Sequence, residues 1–128
     1  MDGGGYDIVL LGQDDPTRID MHALSARFAA EGYRQVGASL TEVGFTSPVS
    51  LFGTYAGQGS DLAGWLRDAI INTDRNLRLQ YLAGIGLNQH TEASIFSEIV
   101  KLRRFPDALF VADDAWKAQL RDAISTAR

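Results

Sequence analysis

Tyr6-Asp7-Ile8-Val9-Leu10-Leu11 constrains this chain more than any other segment, because it is the clearest strand signal in the sequence. It is a short apolar run with β-branched residues. It ends at Gly12 and the turn-forming Gln13-Asp14-Asp15-Pro16. Its apolar residues do not alternate with polar ones, which predicts burial on both faces, as in the middle of a parallel sheet. A strand of that kind needs neighbours on both edges. A second candidate is the short run Tyr33 to Val36. The chain is therefore expected either to wrap helices around a two-stranded piece or to be part of a longer protein that supplies the missing strands.

The rest reads as helix. Asp20 precedes a stripe of Met21, Leu24 and Phe28, with Gly32 placed to close the helix. Ser39-Leu40-Thr41-Glu42 has the form of a capping box, and Gly44 follows it. Ser47-Pro48 opens a helix carrying Val49, Phe52 and Tyr55. Gly57-Gln58-Gly59 breaks it, and Ser60 is expected to cap a helix with Leu62, Trp65, Leu66, Ala69 and Ile70 on one face. After the polar turn Asn72–Asn76, Leu77 to Leu82 fits either an alternating strand or a helix, and the helix through about Leu87 is preferred. Thr91 precedes a helix with Ile95, Phe96, Ile99 and Leu102 inward, whose end carries Lys101, Arg103 and Arg104, cations that suit the negative pole of the dipole. Phe105-Pro106 stops it. Asp113 caps the last helix, with Trp116, Leu120, Ala123, Ile124 and Ala127 as its buried stripe. The fold class expected is α+β and helix-rich: one or two short strands near the N-terminus, then five or six short-to-medium helices.

The chain has 128 residues, which suits one domain with its own core. Residues 1–5 read as a flexible lead-in, 6–128 as a single domain that forms the C-terminal part of a longer protein. No cysteine is present, which excludes disulfides, thiolate metal sites and a cysteine nucleophile. The net charge of −4 excludes general nucleic-acid binding by bulk electrostatics. No apolar run has the length of a membrane span, and no signal-peptide pattern opens the chain. The expectation is a cytoplasmic chain without direct membrane insertion.

Catalytic and metal motifs are sparse. The two histidines, His22 and His90, each stand beside a helix start, where solvated roles suffice. No Gly-x-Ser-x-Gly elbow, His-x-x-x-His pair or calcium loop occurs. The acidic pairs Asp14-Asp15 and Asp113-Asp114 are explained by turn and cap roles. No cofactor is expected.

The densest polar cluster is Asn72, Thr73, Asp74, Arg75, Asn76 and Arg78, followed by Gln80 and Tyr81. Asn72, Asp74, Arg75, Arg78 and Tyr81 are the candidate ligand- or partner-binding residues, since two arginines beside a tyrosine can hold a carboxylate. The structural alternative assigns Asp74 to a helix cap, Arg78 to an ion pair and Tyr81 to the interior. The two tryptophans, Trp65 and Trp116, would mark a partner surface if exposed.

Asn72-Thr73-Asp74-Arg75-Asn76-Leu77-Arg78-Leu79-Gln80-Tyr81-Leu82-Ala83-Gly84 resembles a segment near the C-terminal end of bacterial spermidine synthase-like proteins, which are often fused to a transporter-like membrane domain. Asn72, Thr73, Asp74 and Tyr81 match the family pattern, and Gln80 stands where many members have glutamate. Tyr6 to Gln13, Leu40 to Phe45, Tyr55-Ala56, Arg104-Phe105-Pro106 and Leu109-Phe110 are similar to the same stretch, so the resemblance spans most of residues 6–112. The family's enzymes transfer an aminopropyl group from decarboxylated S-adenosylmethionine to a polyamine. Their glycine-rich cofactor loop and catalytic aspartates have no counterpart here. The resemblance implies a non-catalytic C-terminal domain serving packing, lid or oligomer contacts. Its partner would be the rest of a parent chain, itself membrane-attached in some members, or a second copy of itself. The alternative is a stand-alone helical interaction module.

Overall fold

A computed structural model describes residues 8–12, 14–89 and 91–126. The fold is α+β and helix-rich, with one short two-stranded parallel sheet. In chain order it runs β1 (Ile19–Asp20), α1 (Met21–Ala29), a 3-10 turn (Glu31–Tyr33), α2 (Arg34–Glu42), α3 (Pro48–Phe52), α4 (Gly59–Leu62), α5 (Arg78–Gln89), α6 (Glu92–Leu102), β2 (Phe110–Val111) and α7 (Asp114–Thr126).

The chain divides into two compact units. One combines the chain up to Tyr55 with the chain from Phe105 onward, and the other is Ala56–Arg104. In sequence terms the second unit is an insertion between the two strands of the first.

In the first unit, Ile19 pairs with Phe110 and Asp20 with Val111, and Ile19 N–H donates to the Leu109 carbonyl at 2.7 Å. Asp20 then turns from strand to helix cap: its carboxylate accepts from Ala23 N–H at 3.0 Å, satisfying a free donor of the first turn of α1. Asp113 does the same for α7 through Trp116 N–H at 2.8 Å. The core of this unit is Met21, Phe110, Leu120 and Ile124, with Ile19, Val49, Phe52, Tyr55, Phe105 and Trp116 packed around it. α3 is set by Ser47, whose hydroxyl accepts from Ser50 N–H at 3.1 Å while the Ser50 hydroxyl accepts from Ser47 N–H at 3.0 Å, with Pro48 in the first turn.

Several sequence expectations are corrected. Ile8 to Leu11 form no strand, and Val9, Leu10 and Leu11 are exposed. Tyr6 and Asp7 lie outside the described residues. The short first strand falls instead at Ile19–Asp20, where a partner in β2 is at hand. Tyr33 to Val36 is not a strand: it spans the end of the 3-10 turn and the start of α2. α1 closes at Ala30 rather than Gly32. Ser39 to Glu42 are the last turns of α2 rather than a separate helix. Gly44, at φ +94°, does end that stretch, in a backbone region that suits glycine.

In the second unit, α4 is a single turn, and the stripe from Trp65 to Ile70 lies in turns and irregular chain beyond it. Asp61 ties the two ends of this unit together: its carboxylate accepts from Gln58 N–H at 3.2 Å and from Arg104 N–H at 3.3 Å. Trp65 Nε1–H donates to the Glu98 carboxylate at 3.2 Å, linking the chain after α4 to α6. α5 covers Arg78–Gln89, so the helical reading stands from Arg78 to Leu82 and the strand alternative falls, while Leu77 lies before the helix. Thr91 stands at the α6 N-cap, but its side chain makes no capping bond.

Candidate functional site

The polar cluster 72–81 folds as a turn that leads into α5. Its hydrogen bonds are local. Thr73 N–H donates to the Asn76 side-chain oxygen at 3.0 Å, and Asn76 N–H donates to the Thr73 hydroxyl at 3.3 Å. The same Asn76 oxygen accepts from Arg78 N–H at 3.2 Å, and the Asn76 amide donates to the Ile71 carbonyl at 2.9 Å. Asn72 reaches further along the chain, accepting from Leu79 N–H at 2.8 Å. Asn72 and Asn76 thus take the donors at the start of α5 that a cap residue would take.

Between Asn76 and Arg78 stands Leu77 at φ +45°, the one non-glycine residue with a left-handed backbone among those described. A leucine rarely adopts that conformation. Asn76 grips the chain on both sides of it, at Thr73 and Arg78, and Leu77 N–H donates to the Thr73 carbonyl at 3.0 Å. The turn is over-determined by hydrogen bonds, which is how such a conformation persists.

The structural assignment of this cluster is overturned in three respects. Asp74 is not the cap: that role falls to the two asparagines. Arg78 enters no ion pair among the described residues. Tyr81 is 70% exposed rather than interior. What the geometry builds instead is an open depression of about 370 Å³, lined by Ile70, Asn76, Arg78, Tyr81 and Leu82. Of the candidate residues, Arg78 and Tyr81 are brought together in its wall, whereas Asn72, Asp74 and Arg75 do not line it.

Sequence reasoning missed Ile70, Leu82 and the central part played by Asn76. The Thr73-x-x-Asn76 spacing was the available signal, since a hydroxyl and an amide three residues apart can satisfy each other's backbone N–H groups. Ile70 and Leu82 carried no signal of their own, because apolar residues at helical spacing read first as core.

The hydrogen bonds give an expected outcome. Asn76→Ala removes three acceptor or donor contacts and is expected to cost about 1 kcal/mol, seen as faster amide exchange over Leu79–Leu82. Asp74→Ala is expected to leave those rates within about twofold.

Elsewhere, His22 is exposed as expected. It meets the Asp113 carboxylate through Nε2 at 3.3 Å and stands edge-on to Trp116 at 6.0 Å between ring centroids. His90 and Ala127 lie outside the described residues. No group of three or more His, Asp or Glu side chains placed to hold a metal occurs among the described residues. No helix among them is long and apolar enough to cross a membrane. No family model, curated protein or solved structure matches the chain.

Proposed function

We propose that the chain is a non-catalytic packing element, and that Ala56–Arg104 is the part another polypeptide covers. One observation supports this above all: among the residues of that unit whose burial the structure describes, which leaves out Gly84 and 86–88, none is buried. Many of its large apolar side chains are exposed instead, among them Trp65 at 44%, Ile70 at 60%, Leu79 at 67% and Ile85 at 50%, while Leu62, Phe96, Ile99 and Val100 are half-buried. α5 and α6 have 12 and 11 residues. Helices of that length are marginal in water without an apolar face to dock. Ile70, Tyr81 and Leu82 line one depression, and exposed apolar residues gathered in one patch are the usual mark of an interaction site.

The narrower reading names the covering polypeptide as the catalytic part of a spermidine synthase-like protein. It is supported by the sequence resemblance, above all at Asn72–Gly84. In it the chain serves packing, lid or oligomer contacts, and does not itself transfer an aminopropyl group.

Amide hydrogen exchange tests both. In the lone chain, the amides of α5 and α6 are expected to exchange at least about tenfold faster than those of α7 around Leu120. Equal protection would mean the unit needs no cover, and the proposal falls. Adding a spermidine synthase-like catalytic domain is expected to slow exchange in α5 and α6. No change on that addition removes the narrower reading and leaves the broader one.

A further inference from the structure

We infer that the depression at Arg78 and Tyr81 seats an acidic side chain of the covering polypeptide, flanked by apolar residues. The inference rests on the reading of Ala56–Arg104 as a docking surface and names the chemistry of what docks.

Charge decides the occupant. Arg78 is the one charged residue lining the depression. It is also the one charged residue of α5, since Leu79 to Gln89 carries none. No carboxylate of the described residues pairs with it. The nearby acid in sequence, Asp74, does not line the depression. The site therefore presents one uncompensated positive charge. A guanidinium matches a carboxylate through two parallel N–H···O bonds. Phosphate recognition gathers several arginines, and only one is here, so the complement is a singly charged carboxylate.

The walls decide its neighbours. Ile70 and Leu82 are 60% and 45% exposed, and the Tyr81 ring stands open beside them. Apolar residues on either side of the partner's acid would cover these surfaces, and they would shield the ion pair from water, which strengthens it. Tyrosine and arginine are the residue types that dominate binding energy at such centres. The backbone of Arg78 is already fixed by the Asn76 side chain at 3.2 Å, so less conformational freedom is lost on docking. Asn76 is a positioning residue, with Arg78 and Tyr81 as the contact groups.

Titration of the full chain followed by amide NMR tests this. The probes are a blocked Leu-Glu-Leu peptide, its Leu-Gln-Leu counterpart and acetate. The amides of Arg78, Tyr81 and Leu82 are expected to shift saturably with the glutamate peptide, and to bind the glutamine peptide about threefold or more weakly. Arg78→Gln is expected to erase that difference. In the unaltered chain the difference is expected to shrink at about 0.5 M salt, a readout that does not depend on the variant folding. Equal binding of the two peptides overturns the inference. So does acetate reproducing the shifts at the same concentration, since the site would then hold free anions only. Hydrogen exchange in the lone chain reports on the docking surface itself: fast exchange in α5 and α6 with indistinguishable peptides sinks the acidic-partner assignment and leaves the surface standing.

Discussion

Phe110→Ala is expected to destabilise the first unit by about 3–5 kcal/mol, measured as a fall in denaturant midpoint by circular dichroism. Phe110 is 3% exposed, and its ring is the meeting point of two others. Phe52 from α3 meets it edge-on at 5.1 Å between centroids, and Phe105 lies tilted at 5.9 Å. Pairs of this geometry add to the burial of area alone. Phe105 is itself held by a further contact, because the Arg121 guanidinium lies 4.0 Å from its centroid while pairing with Asp107. Removing the central ring takes away both ring contacts and leaves a cavity between Phe52 and Phe105. Phe110 also sits in β2, opposite Ile19. A sheet of two residues per strand has little stability of its own, so the side chain that pins β2 to the core holds the strand pairing as well. The expected companion result is loss of slow exchange at Ile19 N–H, which donates to Leu109. A variant that melted within about 1 kcal/mol of the parent would show that the aromatic cluster is not what holds the two segments of this unit together.

What the residues reveal in advance follows from how local the physics is. Asp20 and Asp113 are legible as caps because each satisfies an N–H three residues away, and Pro48 is legible as the opening of α3. The stripe of α7 is legible because Leu120 and Ile124 have a core to enter. Ile8 to Leu11 have the composition of a buried strand, but a strand is defined by partners, and composition does not say whether partners exist. Ser60 and the apolar residues behind it have helical spacing, yet the helix stops at Leu62. That spacing yields a stable helix only where a surface stands ready to receive it, and every described residue from Ala63 to Ile71 is exposed. The site repeats this pattern. The polar turn Asn72–Asn76 is legible from its asparagines and aspartate, although the hydrogen bonds fall to Thr73, Asn76 and Asn72 rather than to Asp74. The exposure of Tyr81 was not, because a tyrosine in a leucine-rich run reads as core until the surface that would cover it is found missing.

The same contrast sets the largest expected difference between two like substitutions. Leu120→Ala in α7 is expected to cost about 2–5 kcal/mol, because Leu120 is 0% exposed and its truncation leaves a cavity among Met21, Phe110 and Ile124. Against a total stability of about 5–15 kcal/mol for a domain, that is a large share. Leu82→Ala in α5 removes the same atoms from a side chain that is 45% exposed, in a unit with no buried residue among those whose burial is described. Little apolar area leaves the interior, no cavity forms, and alanine is the better helix former, so the change in the lone chain is expected to stay within about 0.5 kcal/mol. The cost of Leu82→Ala is instead expected to appear on association, as weaker binding of the glutamate peptide beside Arg78. Urea unfolding of the two variants, followed through amide exchange in α7 and α5 separately, measures both. A Leu82→Ala variant that unfolds as readily as Leu120→Ala would place Leu82 in a core of its own, and the surface around Arg78 and Tyr81 would then be a wall of the fold rather than a place for another chain to dock.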